Sequence, residues 1–395
     1  MKKFFALLLC LVLAFSLVAC GGADVIVDTD TEDSTEGLFT ENTDSDSDSD
    51  VSSATQDATE NTDKTDSSTD SATSSDKKTD SGVQYLEPST DNGPNLVMAN
   101  DQIKERIVIY DFDRYEEGDT LEDLEVWSVR TGHAAGLKYR EDTVFGDVIL
   151  VGGSRSAIIE YPSKKEVWAT TNPGNNTHSV EILPSGNIVL ANSTGSCLRL
   201  FAASALLDGN TAKAQSYKDY PLDGAHGVLW DPEYNVLWAL GNYELSAYKV
   251  VGEGPSQTLQ KIGGMGARLP EGKDGGHDLA PDYADDQYLY ITVNACTLRF
   301  DKEEGTFDSR FKNYNKLNGY AVKGFSNNLN NNFFMAIPGD EKGTGTNFEG
   351  HWKASWLTDT IYFCYMKTEN MMYRLGVKAE ESGFYKVRAF VGQYQ

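Results

Sequence analysis

The C-terminal three quarters of the chain alternate between short apolar runs and turn residues, and the alternation recurs at a regular interval. Starting from His226, ten residues lead to the apolar run VLWAL and 22 lead to YKV. The same spacings follow His178 and, within one residue, His277, and both runs follow His133 after a longer turn. Runs of four to six residues rich in Val, Ile, Leu, Tyr and Trp predict β-strands.

Each unit continues into a weaker fourth run, so four short strands recur about every 45 to 51 residues. This arrangement is typical of β-propeller blades. Ahead of the first unit, three runs (NLVMANDQ, RIVIYDFD and LEVWSV) match the second to fourth strands of a blade that lacks its first strand. We expect the C-terminal run FYKVRAFV to supply that strand, because pairing the two ends of the ring removes an open sheet edge.

The region after the fourth histidine allows two registers. Lys323 lies ten residues before FFMAIP and so occupies the position that histidine has in the other units. His351 also lies ten residues before an apolar run, IYFCYM, and could begin a unit of its own. We predict an all-β protein with a β-propeller domain of six four-stranded blades over residues 93–395, with five or seven blades as alternatives.

The first 20 residues have the pattern of a secretion signal. Two lysines precede an apolar run of about fifteen residues that ends in LVAC. The run is shorter than the roughly 20 residues that a membrane-spanning helix needs. We predict that Cys20 becomes the lipidated first residue of the mature chain and holds the protein on the extracytoplasmic face of the cell membrane. The alternative is a plain signal peptide.

Residues 21–92 have a different composition from the rest of the chain. They contain 20 acidic residues and three lysines, with few large apolar side chains. Such a segment cannot bury enough apolar surface to offset the entropy of ordering, so we predict a disordered linker that is extended by its own charge. Its expected function is to lift the folded domain off the lipid surface.

Charge and cysteine content restrict the partners of the folded domain. Residues 93–395 carry a net charge of −11 out of −26 for the chain, which argues against nucleic acid as a partner. We expect a monomer. Cys10 and Cys20 lie in the signal, and we expect Cys197, Cys296 and Cys364 to be free thiols.

The stretches GAHGVLWDP and GGHDLAPD, together with HSVEILPSGNIVLANSTGSCLRLF, resemble a family of secreted bacterial β-propellers catalogued only as a domain of unknown function (family 6528). The resemblance covers about residues 94–395. It implies the propeller fold and a location outside the cytoplasm, but no activity. A Gly- and Asn-rich insertion at residues 339–351 departs from the family pattern.

The histidines at the unit starts are the main candidate site. The first strand of a propeller blade lines the central channel, so we expect these side chains to meet at one channel mouth, with Lys323 among them: His133, His178, His226 and His277. They could pack the blades, or they could bind a divalent metal such as Mn, Zn or Ca, with Asp278 as a ligand or a supporting group. The arrangement is similar to that of propeller lyases acting on acidic sugars, in which channel histidines hold a metal.

Aromatic residues are the second candidate for a binding site in the domain. The insertion carries His351, Trp352 and Trp356, and we predict that they bind a ligand together with Lys323. The alternative for tryptophan is to fill the space between blades. The sequence contains no Ser-His-Asp pattern, phosphate loop, CxxC pair or nucleotide fingerprint.

Three functions agree with these features. The favoured one is a membrane-anchored extracytoplasmic lipoprotein whose propeller binds an extracellular ligand, in particular a glycan, at a histidine-lined channel mouth. The second is a metal-dependent polysaccharide lyase acting on acidic sugars. The third is a protein-interaction scaffold. The absence of a complete catalytic set favours a binding protein over an enzyme.

Overall fold

A computed structural model of the protein describes residues 95–338, 356–368 and 370–393. Six antiparallel sheets of four strands surround a channel, and each innermost strand packs against the innermost strand of the next sheet. The prediction of a six-bladed β-propeller is therefore confirmed. The predicted signal and linker, and also His351 and Trp352, lie outside the described residues.

The strands are numbered in chain order, and the first three blades contain the following strands. Blade 1 combines strands from both ends of the domain: β1 (Leu96–Asp101), β2 (Arg106–Asp111), β3 (Glu125–Arg130) and β24 (Phe384–Ala389). Blade 2 contains β4 (Ala134–Thr143), β5 (Gly146–Gly153), β6 (Ser156–Glu160) and β7 (Glu166–Thr170). Blade 3 contains β8 (Thr177–Ile182), β9 (Ile188–Asn192), β10 (Cys197–Phe201) and β11 (Tyr217–Pro221).

The remaining blades repeat the same order from the innermost strand outward. Blade 4 contains β12 (Gly227–Asp231), β13 (Val236–Leu240), β14 (Glu244–Val251) and β15 (Thr258–Arg268). Blade 5 contains β16 (Gly276–Pro281), β17 (Tyr288–Val293), β18 (Thr297–Asp301) and β19 (Thr306–Asp308). Blade 6 contains β20 (Gly324–Asn327), β21 (Phe333–Ala336), β22 (Thr360–Thr368) and β23 (Met371–Lys378).

Helical structure is confined to short connections in the described part of the chain. The α-helices are α1 (Thr211–Ala214) and α2 (Tyr314–Leu317), and 3₁₀ turns occur at Phe112–Arg114, Leu121–Leu124, Ala203–Asp208 and Gly254–Ser256. None of these helices has the length and apolar character needed to cross a membrane.

The ring is closed by pairing the two ends of the propeller. β24 is the innermost strand of blade 1 and pairs antiparallel with β1, with Val97 opposite Ala389 and Ala99 opposite Val387. This pairing confirms the predicted role of the C-terminal run. The closing blade also packs tightly on blade 6, because a Cβ added at Gly324 would overlap the backbone nitrogen of Val387.

The core lies between the faces of neighbouring blades. Trp238 of blade 4 meets Phe300 of blade 5 edge-to-face, with ring centroids 5.7 Å apart, inside one apolar cluster. Tryptophan mostly fills such spaces, since four of the described tryptophans are buried: Trp127, Trp168, Trp230 and Trp238. Trp356 differs, because its side chain is exposed. The thiols of Cys197, Cys296 and Cys364 are free.

Candidate functional site

The channel mouth is formed by one side chain from the start of each innermost strand. In five blades that side chain can hydrogen-bond, and in blade 2 it is a methyl group. In ring order from blade 1 to blade 6 these mouth residues are Tyr385, Ala135, His178, His226, His277 and Lys323. We call this set the mouth ring.

Irregular pairing at the strand start marks the position in four of the blades. Between Thr177 and Ser179 the register of β8 shifts against β9, so His178 is an extra residue in a β-bulge. The same shift in β16 places His277 in a bulge. A bulge turns its extra side chain out of the alternating pattern of the strand.

Blades 4 and 6 reach the same geometry without a bulge. The backbone N–H of His226 donates to the Leu240 carbonyl (2.8 Å), and that of Lys323 donates to the Ala336 carbonyl (3.0 Å). Both residues directly precede the first paired residue of the innermost strand. Lys323 therefore occupies the place that the sequence spacing predicted.

The structure corrects the position of His133. The bulge of β4 falls between Ala134 and Gly136, so Ala135, and not His133, is the equivalent of the other mouth residues. His133 lies before the strand with an exposed side chain, and no ring contact with the other histidines is found among the described residues. The longer β4–β5 hairpin moves the mouth position two residues along the chain. The sequence spacing alone could not distinguish this shift from a longer turn.

The polar members of the mouth ring contact one another around the channel. The imidazoles of His178 and His226 have centroids 4.3 Å apart, and those of His226 and His277 lie 5.9 Å apart. Nζ of Lys323 lies 3.3 Å from both ring nitrogens of His277. The Tyr385 hydroxyl is hydrogen-bonded to Nδ1 of His178 (2.8 Å). Three of the four predicted histidines therefore meet, together with Lys323.

Two of the histidines are oriented by neighbouring backbone and amide groups. Nδ1–H of His226 donates to the Gly224 carbonyl (2.8 Å), and Nε2 of His277 hydrogen-bonds Asn294 Oδ1 (2.6 Å). Gly224 has a φ of 54°, and Asn242 packs where its Cβ would be. The left-handed backbone favours glycine at this position, and Asn176, two residues before His178, adopts a similar φ of 57°.

Burial keeps the imidazoles neutral at neutral pH. Desolvation, together with the neighbouring His226, holds the pKa of His178 well below its usual value. Desolvation and Lys323 do the same to the pKa of His277. For His226, burial lowers the pKa to about 4 even though the Gly224 carbonyl works in the opposite direction. The mouth therefore offers neutral imidazoles beside an ammonium group.

A buried ion network lies below the mouth ring. Asp278 accepts hydrogen bonds from Lys386 Nζ (3.1 Å), from both terminal nitrogens of the Arg388 guanidinium and from the Phe325 backbone N–H (2.9 Å). Burial alone would raise the pKa of Asp278, but Arg388 and Lys386 outweigh it and hold the pKa well below its usual range. Burial lowers the pKa of Lys386 to about 8.

A second ion network crosses the channel further from the mouth. Lys138 Nζ donates to the carbonyls of Val180 (2.7 Å) and Val228 (2.5 Å), while Arg140 pairs with Glu181 at 2.8 Å. The two networks bury four basic side chains and two carboxylates: Lys138, Arg140, Lys386 and Arg388, with Glu181 and Asp278. Burial lowers the pKa of Lys138 to about 7, so this lysine carries only part of a charge at neutral pH. The channel is a locally positive region of an acidic protein, and its own side chains fill it.

The opposite face of the propeller has a different character. Its loops surround an open depression with a volume of about 630 Å³, lined in part by Glu233, Asp285 and Asp286. These carboxylates disfavour an anionic ligand on that face. The mouth ring is therefore the better candidate for such a ligand, although it is the more closely packed of the two regions.

The structure describes some, but not all, of the residues that the sequence predicted to bind a ligand or a metal. Trp356 is exposed, and its Nε1–H donates to Gln102 Oε1 (3.3 Å), whereas His351 and Trp352 lie outside the described residues. Within residues 95–338, 356–368 and 370–393, no group of three or more His, Cys, Asp or Glu side chains is placed to hold a metal ion. Metal binding by the histidines stays a prediction, and Asp278 is engaged by Lys386 and Arg388.

Sequence reasoning missed the channel cations and Tyr385. A signal for the cations is present, because LKYR in β4 and YKVR in β24 alternate charged residues with apolar ones in otherwise apolar strands. In an innermost strand this alternation directs one set of side chains into the channel. No comparable signal marks Tyr385, since its position depends on a bulge.

The comparison with protein families gives a match to a family without an assigned function. The model of a family of unknown function, DUF6528, matches residues 144–336. This match confirms the resemblance inferred from the histidine motifs, over the part of the propeller from the β4–β5 turn to β21. No curated protein matches the chain.

Solved structures of similar shape share little sequence with this chain. A protein of unknown function from Bacteroides caccae is 13% identical with a TM-score of 0.48, over 75% of this chain and 98% of that one. A putative 6-phosphogluconolactonase from Bacteroides fragilis is 11% identical with a TM-score of 0.47, over 76% and 99%. A functionally unknown protein from Desulfotomaculum acetoxidans is 10% identical with a TM-score of 0.41, over 72% and 86%.

Proposed function

We propose that this protein is a lipid-anchored, extracytoplasmic binding protein whose propeller holds an acidic sugar at the mouth ring. The observation that carries the proposal is the placement of Lys323 beside His277 and His226, above the Lys386–Asp278–Arg388 network. Neutral imidazoles supply donors and acceptors for hydroxyl groups, and the ammonium group of Lys323 supplies a charge for a carboxylate.

Electrostatics favour an acidic ligand over a neutral one at this site. The propeller, residues 93–395, carries a net charge of −11, so its overall field disfavours anions. The excess of cations in the channel offers an anion one region of opposite sign, and the low dielectric of a partly buried site strengthens that attraction. A uronate combines the required carboxylate with hydroxyl groups for the imidazoles.

Calorimetric titration of galacturonate against galactose tests the binding proposal. We expect binding of the uronate, weak or absent binding of the neutral sugar, and a loss of about tenfold or more in uronate affinity for Lys323→Met, since hydrogen bonds to charged groups contribute roughly 1.5–3 kcal/mol. Lys249→Met is the matched control, because Lys249 is an exposed residue of β14 outside the mouth. Equal binding of both sugars, or equal effects of the two variants, would refute the proposal.

The membrane anchor is a separate part of the proposal. It rests on the LVAC sequence that ends at Cys20 and on the acidic segment that follows. Cys20→Ser should release the protein from membranes or leave it unprocessed, while Cys10→Ser should change neither. A processed Cys20→Ser protein that still fractionates with membranes would show that something other than lipidation holds it.

A lyase reaction is the second candidate, and one hydrogen bond favours it. β-Elimination from a uronate needs a base, an acid and a group that stabilises the carboxylate. The Tyr385–His178 pair and Lys323 provide these three types of group at one mouth. An ultraviolet assay for the unsaturated product on pectin, alginate and ulvan, with and without Mn²⁺, distinguishes turnover from binding.

A further inference from the structure

The strand order determines which loops surround the mouth ring. Each innermost strand begins at the mouth and the second strand returns to it, as the pairing of Gly227 with Leu240 shows in blade 4. Loops between second and third strands therefore lie on the mouth face. So do the connections from each fourth strand to the innermost strand of the next blade.

Among the residues that the structure describes, three exposed aromatic side chains lie in these mouth-face loops. Tyr243, between β13 and β14, is 46% exposed; Tyr320, in the connection from blade 5 to blade 6, is 53% exposed; and Trp356, before β22, is 42% exposed. We call these three residues the aromatic rim. Most other large aromatic residues of the described chain are buried between blades.

Two members of the aromatic rim are held to the mouth ring through His277. The Ala321 N–H, next to Tyr320, donates to the Asn294 carbonyl (2.8 Å), and the side chain of Asn294 hydrogen-bonds His277. The carbonyl of Asn242, next to Tyr243, accepts from the Gly275 N–H (2.9 Å), two residues before His277. The Tyr320 loop is therefore joined to His277 through Asn294, and the Tyr243 loop is joined to the segment just before His277.

Trp356 is attached to the other side of the mouth. Its neighbour Leu357 packs in one apolar cluster with Ala135 and Tyr385, which are the mouth residues of blades 2 and 1. Its indole N–H donates to Gln102, whose side-chain amide donates in turn to the Ala134 carbonyl (2.8 Å). The aromatic rim thus reaches from blade 4 to blade 1 around the mouth.

We infer that the mouth face binds a chain of acidic sugars of several residues, with one carboxylate at Lys323 and the neighbouring sugar rings on Tyr320, Tyr243 and Trp356. The inference rests on the proposed function and adds the length of the ligand to it. The C–H face of a sugar ring is slightly positive and packs on the negative face of an aromatic ring.

The spacing of the aromatic rim favours a sugar chain over a protein partner. The three exposed rings occur singly on different loops, and polar mouth residues lie among them. Protein interfaces instead concentrate apolar and aromatic side chains in a contiguous core. Separate stacking surfaces around a central cation match a ligand that repeats the same unit along its length.

The length of the sugar chain is the variable that tests this inference. With the full chain in detergent, we expect tetragalacturonate to bind at least tenfold more tightly than galacturonate. Tyr320→Ala should weaken tetramer binding about fivefold or more and leave monomer binding unchanged. Tyr373→Ala is the matched control, because Tyr373 is 40% exposed on the outer strand β23.

The possible results distinguish binding of an acidic sugar chain from binding of a single acidic sugar. Equal affinities for monomer and tetramer, with both lost in Lys323→Met, would overturn the inference and leave the acidic-sugar site intact. Binding of neither uronate would overturn both. A neutral tetramer of galactose that binds as tightly as tetragalacturonate would overturn the requirement for acidic units. Unchanged tetramer binding in Tyr320→Ala, Tyr243→Ala and Trp356→Ala would also overturn the inference.

Discussion

The hydroxyl of Tyr385 lies 2.8 Å from Nδ1 of His178, although Tyr385 belongs to blade 1 and His178 to blade 3. The hydrogen bond passes over blade 2, where the mouth residue is Ala135. The methyl group of Ala135 leaves room for the phenol ring of Tyr385. The small side chain in blade 2 therefore allows Tyr385 to contact His178. The mouth ring is closed by this contact between the C-terminal strand and the second histidine unit.

Replacing Tyr385 tests the contribution of that contact. Tyr385→Phe removes the hydroxyl and leaves Nδ1 of a buried imidazole without this partner, so we expect a loss of about 1–2 kcal/mol in the free energy of unfolding. Urea denaturation measures it. Tyr243→Phe, in which the altered ring is exposed, should unfold like the unaltered protein. Equal midpoints for all three proteins would show that the hydroxyl contributes nothing to stability.

The ion network of Asp278 should be sensitive to the loss of its one carboxylate. Asp278→Asn leaves Lys386 and Arg388 buried without a counter-charge, and breaking a buried pair in this way typically costs about 3–5 kcal/mol. Glu166→Gln removes an ion pair to Arg155 that is largely solvent-exposed, and it should cost no more than about 1 kcal/mol. Thermal unfolding of both variants gives the comparison. Similar losses would contradict the central role of Asp278.

Gly324 tests how closely blade 6 approaches the closing strand. Gly324→Ala places a methyl group against the Val387 backbone, which cannot move without disturbing the β1–β24 pairing. We expect a loss of at least about 2 kcal/mol in unfolding free energy, in the range for overpacked sites. Gly263→Ala is the control, because an added Cβ there meets no atom within 4 Å. A Gly324→Ala protein as stable as that control would show that the ring closes less tightly.

The mouth histidines should make stability depend on pH in mildly acidic solution. Burial lowers the pKa of His226 to about 4 in the folded protein, whereas the unfolded chain has an ordinary value near 6.5. Between these values the unfolded state binds more protons, so the free energy of unfolding falls as the pH drops from about 6.5 to about 4. Because one pKa unit corresponds to about 1.4 kcal/mol, we expect a contribution of up to about 3 kcal/mol.

Comparison of two histidine variants isolates that contribution. His226→Gln should lose part of the pH dependence between pH 6.5 and pH 4.5, as measured by chemical denaturation at each pH. His133→Gln is the matched control, because His133 lies outside the mouth ring. The stability linked to the lowered pKa of Asp278 is lost only in more acidic solutions. A His226→Gln protein with the full pH dependence would assign the effect to other groups.

Much of the architecture follows from local patterns in the sequence. Runs such as VLWAL and YLYITV form strands because their side chains fit between blades, and turn residues separate them at the spacing of a blade. The incomplete first unit and the spare C-terminal run predicted closure, because an unpaired edge is unfavourable. Local chemistry suffices for these features.

Sequence spacing also placed part of the candidate site. The mouth residues His178, His226, His277 and Lys323 were found because each stands ten or eleven residues before the second strand of its blade. The prediction failed at His133, where a longer hairpin and a bulge shift the register by two residues and bring Ala135 to the mouth. Spacing counts residues, but a bulge changes which residue faces the channel.

Only the tertiary structure joined the residues that act together. Tyr385 meets His178 across 207 positions of chain, and Arg388 meets Asp278 across 110. These partners lie on different blades, and the closure of the ring alone brings them within hydrogen-bonding distance. The blade pattern was determined by the sequence because strand formation and turns depend on near neighbours. The mouth ring and the ion networks were decided by the tertiary structure, because their geometry depends on where six separate strands begin.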